Sequence, residues 1–120
     1  MLPLIYPMLK ASSAVKAIIG NTPRAYRHGD APQDTTKPYV TWQIVSGNPD
    51  NHLSGVPVSD RYSVQVDCWH QTDAGVEQLA TAVRNAVEPH AHLISIPVNE
   101  RERDTKLYRI ALQFDVLQSR

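Results

Sequence analysis

The stretch PYVTWQIV (38–45), SGNPDNHLSGVPVSD (46–60), RYSVQVDCW (61–69) and HQTDAGVEQLATAVRNAV (70–87) decides the fold, because each piece has its own physical period. Over residues 39–45 the chain alternates, with Val40, Trp42 and Ile44 on one side and Tyr39, Thr41, Gln43 and Val45 on the other. A period of two is that of a half-buried strand. Residues 61–69 alternate more cleanly: Tyr62, Val64, Val66 and Cys68 point inward, and Arg61, Ser63, Gln65 and Asp67 outward. A slip of one residue would turn the whole apolar set to water, so the register of this strand is well specified. From Thr72 the period becomes helical. Val76, Leu79, Ala80, Val83 and Val87 form the apolar stripe, while Glu77, Gln78, Thr81, Arg84 and Asn85 face water. Thr72 caps this helix, Asp73 complements its positive end, and Pro89 stops it.

Upstream, Leu4, Ile5, Met8, Leu9, Val15, Ile18 and Ile19 recur at three- and four-residue intervals, which predicts one broken helix or two short ones ending at Gly20. Ser12 or Ser13 would cap the second turn of helix. A short extended piece at residues 24–27 leads into a polar segment, 28–38, without periodicity. Downstream, residues 92–98 are apolar and β-branched and run into the charged stretch NERERD (99–104). The final strand, 107–117, places Tyr108, Ile110, Leu112, Phe114 and Val116 on one side. The expected fold is α+β: a mainly antiparallel sheet of about four strands, with an N-terminal helix and a central amphipathic helix on one face.

The chain has 120 residues, which fits a single domain over 1–120. Twelve basic and twelve acidic residues cancel, so charge supplies no reason to expect nucleic acid or an anionic membrane as partner. Cys68 is the sole cysteine, which excludes an internal disulfide. The opening MLPLIYPML lacks a basic leader and a small-residue cleavage pattern, and no apolar run approaches the roughly 20 residues of a membrane span. The expectation is a soluble chain, intracellular when made.

Catalytic constellations are weak. His90 and His92 would point the same way from an extended segment, as a metal pair requires, but no third ligand stands at a recognisable spacing, and a polar loop after Pro89 explains them. Asp67, Cys68 and His70 resemble a nucleophile with its base, yet alternation places Cys68 on the apolar face, opposite Asp67. The five glycines make no phosphate-binding loop. The aromatics Trp42, Tyr62, Trp69, Tyr108 and Phe114 could stack on bases, but without a basic stripe they belong to core or interface. The chain is expected not to be an enzyme and to need no cofactor or metal.

The loops are more suggestive. Residues 46–60 form a fifteen-residue connection between strands expected to pair, where two to five residues usually suffice. Gly47, Pro49, Gly55 and Pro57 supply turn chemistry. A tolerated insertion is one reading. The other is a docking arm, mobile over 47–58 in the free subunit and ordered against a neighbour, with Asn48, Asp50, Asn51, His52 and Leu53 as its contact residues. Glu100, Arg101, Glu102 and Arg103 carry the same ambiguity: a solvated tip, or alternating charge that pairs across a subunit boundary.

The succession APQ (31–33), PYVTWQIVSGNPDN (38–51), DRYSVQVDCW (60–69), TDAGVEQLATAVRNAV (72–87) and LYRIALQFDV (107–116) resembles the tail-completion family of long-tailed bacteriophages, also called tail terminators or tail-to-head joining proteins. The resemblance covers nearly the whole chain, and residues 88–104 match least. It implies an α+β fold and a hexameric ring in the virion, at the head-proximal end of the tail, assembled in the host cytoplasm. Such a ring caps the tail tube, ends its polymerisation and meets the neck. The implied partners are further copies of the chain, the tail tube protein and a neck or head-completion protein, with no membrane and no sequence-specific nucleic acid. The resemblance carries no catalytic residues across. The alternatives are a neck or head-completion connector of the same particle and a small cytoplasmic metal-binding or hydrolytic domain built on His90 and His92. Stoichiometric zinc without an oligomer would mark the latter.

Overall fold

The computed structural model of the chain describes residues 3–27, 35–51 and 55–119. Its elements in order are α1 (Ile5–Lys10), α2 (Ser13–Ile19), β1 (Ala25–Arg27), β2 (Tyr39–Pro49), β3 (Ser59–His70), α3 (Asp73–Val87), β4 (His92–Arg101) and β5 (Tyr108–Ser119). The broken N-terminal helix breaks at Ala11 and Ser12. The Ser12 hydroxyl accepts from the Val15 amide at 3.3 Å, and Gly20 ends α2 with a φ of 98°, a region that favours glycine.

The strands form one sheet of five, in the order β1-β2-β3-β5-β4. It is α+β as expected, but with one strand more than expected and one parallel pair, β1 with β2. The extra strand is three residues long, too short for a period to be read. Arg24 fixes it in place: its Nε donates to the Pro38 carbonyl at 2.9 Å and its Nη2 to the Ile18 carbonyl at 3.3 Å. One side chain thereby ties the end of α2 to the start of β2.

β3 is the central strand, and its alternation is realised: Tyr62, Val64, Val66 and Cys68 are all buried. They face α3, whose stripe of Val76, Leu79, Val83 and Val87 is buried against them and against Leu112 and Phe114 of β5. Ile5, Leu9, Val15 and Ile19 from α1 and α2 complete the same core. Thr72 caps α3 by accepting from the Gly75 amide at 3.0 Å.

The expected long connection is shorter than residues 46–60. β2 continues to Pro49 and β3 begins at Ser59, so Asn48 pairs with Arg61 and Pro49 with Asp60. The alternation of β2 is interrupted at Val45, which stands as the extra residue of a bulge between Ile44 and Ser46 and is left exposed. Beyond it the residues are glycine and polar, so no apolar period marks them as strand. Gly47 sits opposite Tyr62, where a Cβ would come 2.7 Å from the ring, so only glycine lets the tyrosine lie flat across β2.

The sheet face away from the helices carries a ladder of polar and aromatic side chains. The Tyr39 and Trp69 rings stack at 5.9 Å, the Trp69 indole donates to Thr41 Oγ1 at 3.1 Å, and the Arg109 guanidinium lies 5.1 Å from the Trp69 ring centroid. Arg109 also donates to Asp67 Oδ2 at 2.9 Å, and Gln65 donates to Asp67 Oδ1 at the same distance. Asp67, expected to face water, is therefore buried to 8% exposure. Its neighbours across the ladder cover it. Burial, with a smaller contribution from Glu102, raises the Tyr39 pKa.

His70 closes the turn from β3 into α3. Its Nδ1 accepts from the Thr72 amide at 3.1 Å and its ring lies so close over Gly75 that a Cβ there would collide with it. Burial lowers its pKa below the ordinary histidine value, and a protonated Nδ1 could not accept. The unfolded chain therefore takes up the proton more readily. The stability due to neutral His70 is fully present above the ordinary value of about pH 6.5 and is lost below it, as pH falls through the lowered folded-state value. Urea midpoints of wild type should fall more steeply as pH drops below about 6.5 than those of His70→Asn; parallel slopes would refute this.

Candidate assembly interface

Beyond the helix-covered body, the ends of β2, β3 and β5 form a narrow arm, with Ser59 paired to Ser119 and Asp60 to Gln118. The arm closes where the Asp50 amide donates to the Ser59 carbonyl at 3.1 Å and the Ser59 hydroxyl to Asp50 Oδ2 at 3.4 Å. Among the expected contact residues, Asn48 is exposed on β2, and Asp50 and Asn51 are exposed just past its end. His52 and Leu53 lie outside the described residues. What the expectation missed is apolar: Val56 and Val58 stand 77% and 73% exposed on the return side of the arm. The signal was present as a Val-Pro-Val run within an otherwise polar loop.

The charged run is not simply a hairpin tip. β4 extends to Arg101, so Glu100 pairs with Arg109 and Arg101 with Tyr108, with the Arg101 guanidinium 5.8 Å from the tyrosine ring centroid. Only from Glu102 does the chain turn: the Glu102 amide donates to the Leu107 carbonyl at 2.8 Å, and Lys106 takes a φ of 59°. This turn and the arm sit at opposite ends of β5, about 35 Å apart for twelve residues at strand rise. The two candidate groups are thus not brought together.

A further feature was not legible at all. β4 is an edge strand with register breaks between Leu93 and Ser95 and between Ser95 and Val98. The breaks leave Ile94 and Ile96 55% and 50% exposed. Beside them a groove of about 350 Å³ runs between α3 and the sheet, with Ala80, Ile96, Ile110 and Leu112 supplying apolar surface and Glu77 and Arg84 among its polar residues. Bulges and Pro97 interrupt the edge, which discourages simple strand addition.

The groups considered for chemistry are placed as follows. His90 is exposed after α3, and His92 opens β4 opposite Asp115. Both border a notch with Arg61, Glu88 and Asp115, where Arg61 and Asp115 pair at 2.8 Å. No group of three or more His, Cys, Asp or Glu among the described residues is arranged to hold a metal ion. Cys68 is fully buried, and burial pushes its thiol pKa up, away from the reactive thiolate. No helix among the described residues is long and apolar enough to cross a membrane.

Comparison with known proteins gives two findings. The family described as "Tail completion protein gp17" matches residues 3–119. A chain of the solved structure "Virion of native gene transfer agent (GTA) particle" is similar in fold, with a TM-score of 0.66 over 97% of this chain and 92% of that one, at 15% identity. No curated protein sequence matches the chain.

Proposed function

The chain belongs to the tail completion protein gp17 family and is a structural protein of a phage-type tail; from that premise we propose that it acts as the tail terminator. In this reading six copies form a ring at the head-proximal end of the tail. The ring caps the finished tube, stops its polymerisation and offers the surface on which the neck and head join. The protein works through shape and interfaces, with no catalytic residue and no cofactor, and assembles in the host cytoplasm.

The observation that carries the reading is the separation of exposed surfaces. A ring subunit needs two different faces, one for each neighbour, because its contacts are heterologous. The arm with Asn48, Asp50, Asn51 and the exposed valines is one such surface, and the β4 side is another. Glu100, Arg101, Glu102 and Arg103, near the opposite end of β5, would set register between copies, since misplacement brings like charges together.

The test is made in particles. Residues 51–57 are replaced by a short Gly-Ser turn, which spares the paired part of β2. The subunit should fold normally, and tails should come out with abnormal length. Arg101→Glu with Arg103→Glu should weaken ring formation most at low salt, where screening is least. Tails of normal length that lack heads would favour the connector reading. Infectious particles with normal tails from both variants, or a subunit monomeric in the particle, would overturn the terminator reading.

A further inference from the structure

The arm carries exposed valines and the groove beside β4 is lined in part by apolar side chains, and we propose that they are two halves of one contact. Val56 and Val58 of one copy seat in the groove between α3 and β4 of the next. The proposal rests on the ring reading above and specifies the surfaces that build it.

A subunit cannot fill its own groove. The arm is built from the ends of β2, β3 and β5, whereas the groove lies between α3 and the β5–β4 side of the sheet, around Ile110 and Leu112. Leu112 pairs with Val66, and Ser59 lies seven residues further along β3, roughly 23 Å at strand rise. The occupant must come from another chain, and this chain presents the exposed Val56 and Val58. A contact between unlike surfaces is heterologous and propagates around a ring.

Charge gives the contact a direction. Glu77 and Arg84 stand two helical turns apart on α3, about 10 Å, so the groove wall has a negative and a positive end. Arg84 pairs with Glu88 but remains half exposed. Asp50, hydrogen-bonded to Ser59 next to Val58, supplies a carboxylate beside the valines. The arm therefore seats with Asp50 toward Arg84 and away from Glu77. An arm tip alone buries far less than the roughly 800 Å² per partner of a standard interface. The contact becomes stable when every subunit both gives an arm and receives one.

The test is cross-linking within assembled particles, using the full chain carrying Val58→Cys and Ile96→Cys together. Cys68 is buried and does not compete. Mild oxidation, or a short bis-maleimide that tolerates looser geometry than a disulfide, should convert most of the subunit into a ladder on a non-reducing gel. The ladder should end at the copy number of the ring. Either cysteine alone should give no ladder. Val58→Asp and Ile96→Asp, both at exposed positions that leave the fold intact, should each raise the concentration needed for the ring about tenfold or more. A ring without cross-links would overturn the arm-in-groove contact while leaving the terminator reading in place. Dimers from Val58→Cys alone would overturn it in favour of an arm-to-arm contact. A subunit that is monomeric in the particle would overturn both readings.

Discussion

Phe114→Ala is expected to lower the free energy of unfolding by about 3–5 kcal/mol, the range for a fully buried aromatic truncated to alanine. Phe114 is fully inaccessible and is the largest such side chain in the core. It stands on β5 opposite Val64 of β3 on one side and Leu93 of β4 on the other, with α3 packed over the same face. Truncation would leave a void bounded by a central sheet and a helix, neither of which can collapse without shifting strand register. For a domain of ordinary stability, roughly 5–15 kcal/mol, that is a large share of the total. Thermal and urea unfolding would measure it. A change below about 1 kcal/mol would mean that the packing around β5 is looser than the burial indicates.

Arg109→Met should destabilise by about 2–4 kcal/mol, and most of that should return when Asp67→Asn is added. Removing one partner of a buried ion pair leaves the other charge poorly solvated, whereas replacing both removes the problem. Asp67 keeps 11% side-chain exposure and Arg109 23%, so the effect is set somewhat below that of a fully buried pair. Methionine keeps much of the arginine stem over Trp69, which separates the loss of charge from the loss of packing. The double-mutant cycle reads the coupling directly. Strictly additive single effects would show that the two side chains touch without energetic dependence. By contrast Arg61 and Asp115, with side chains 51% and 25% exposed, form a surface pair whose removal should change little.

Both variants bear on how far the sequence alone could be read. The inward set on β3, the α3 stripe with its Thr72 cap, and a break in the N-terminal helix capped by Ser12 or Ser13 were all legible. Each is a local rule: a side chain's face follows from the period of its own element, and a cap satisfies amides within one turn. Glu100 and Arg101 were recognised as charged but not as strand. Their pairing partners, Arg109 and Tyr108, belong to the next strand, and polar residues on an exposed edge show no alternation.

The amino-acid sequence by itself determined the α+β class, the faces of the central strand and helix, and a reading as a structural protein of a tail. Tertiary structure alone decided the rest. It paired Asn48 with Arg61 and so turned much of an apparent loop into an arm. It buried Asp67 beneath Arg109, a residue 42 positions away. It left Val56 and Val58 at one end and Ile96 at the far edge as exposed apolar surfaces. The physical reason is the same in each case: pairing, burial and exposure depend on what lies across the sheet, and that neighbour is distant in the chain.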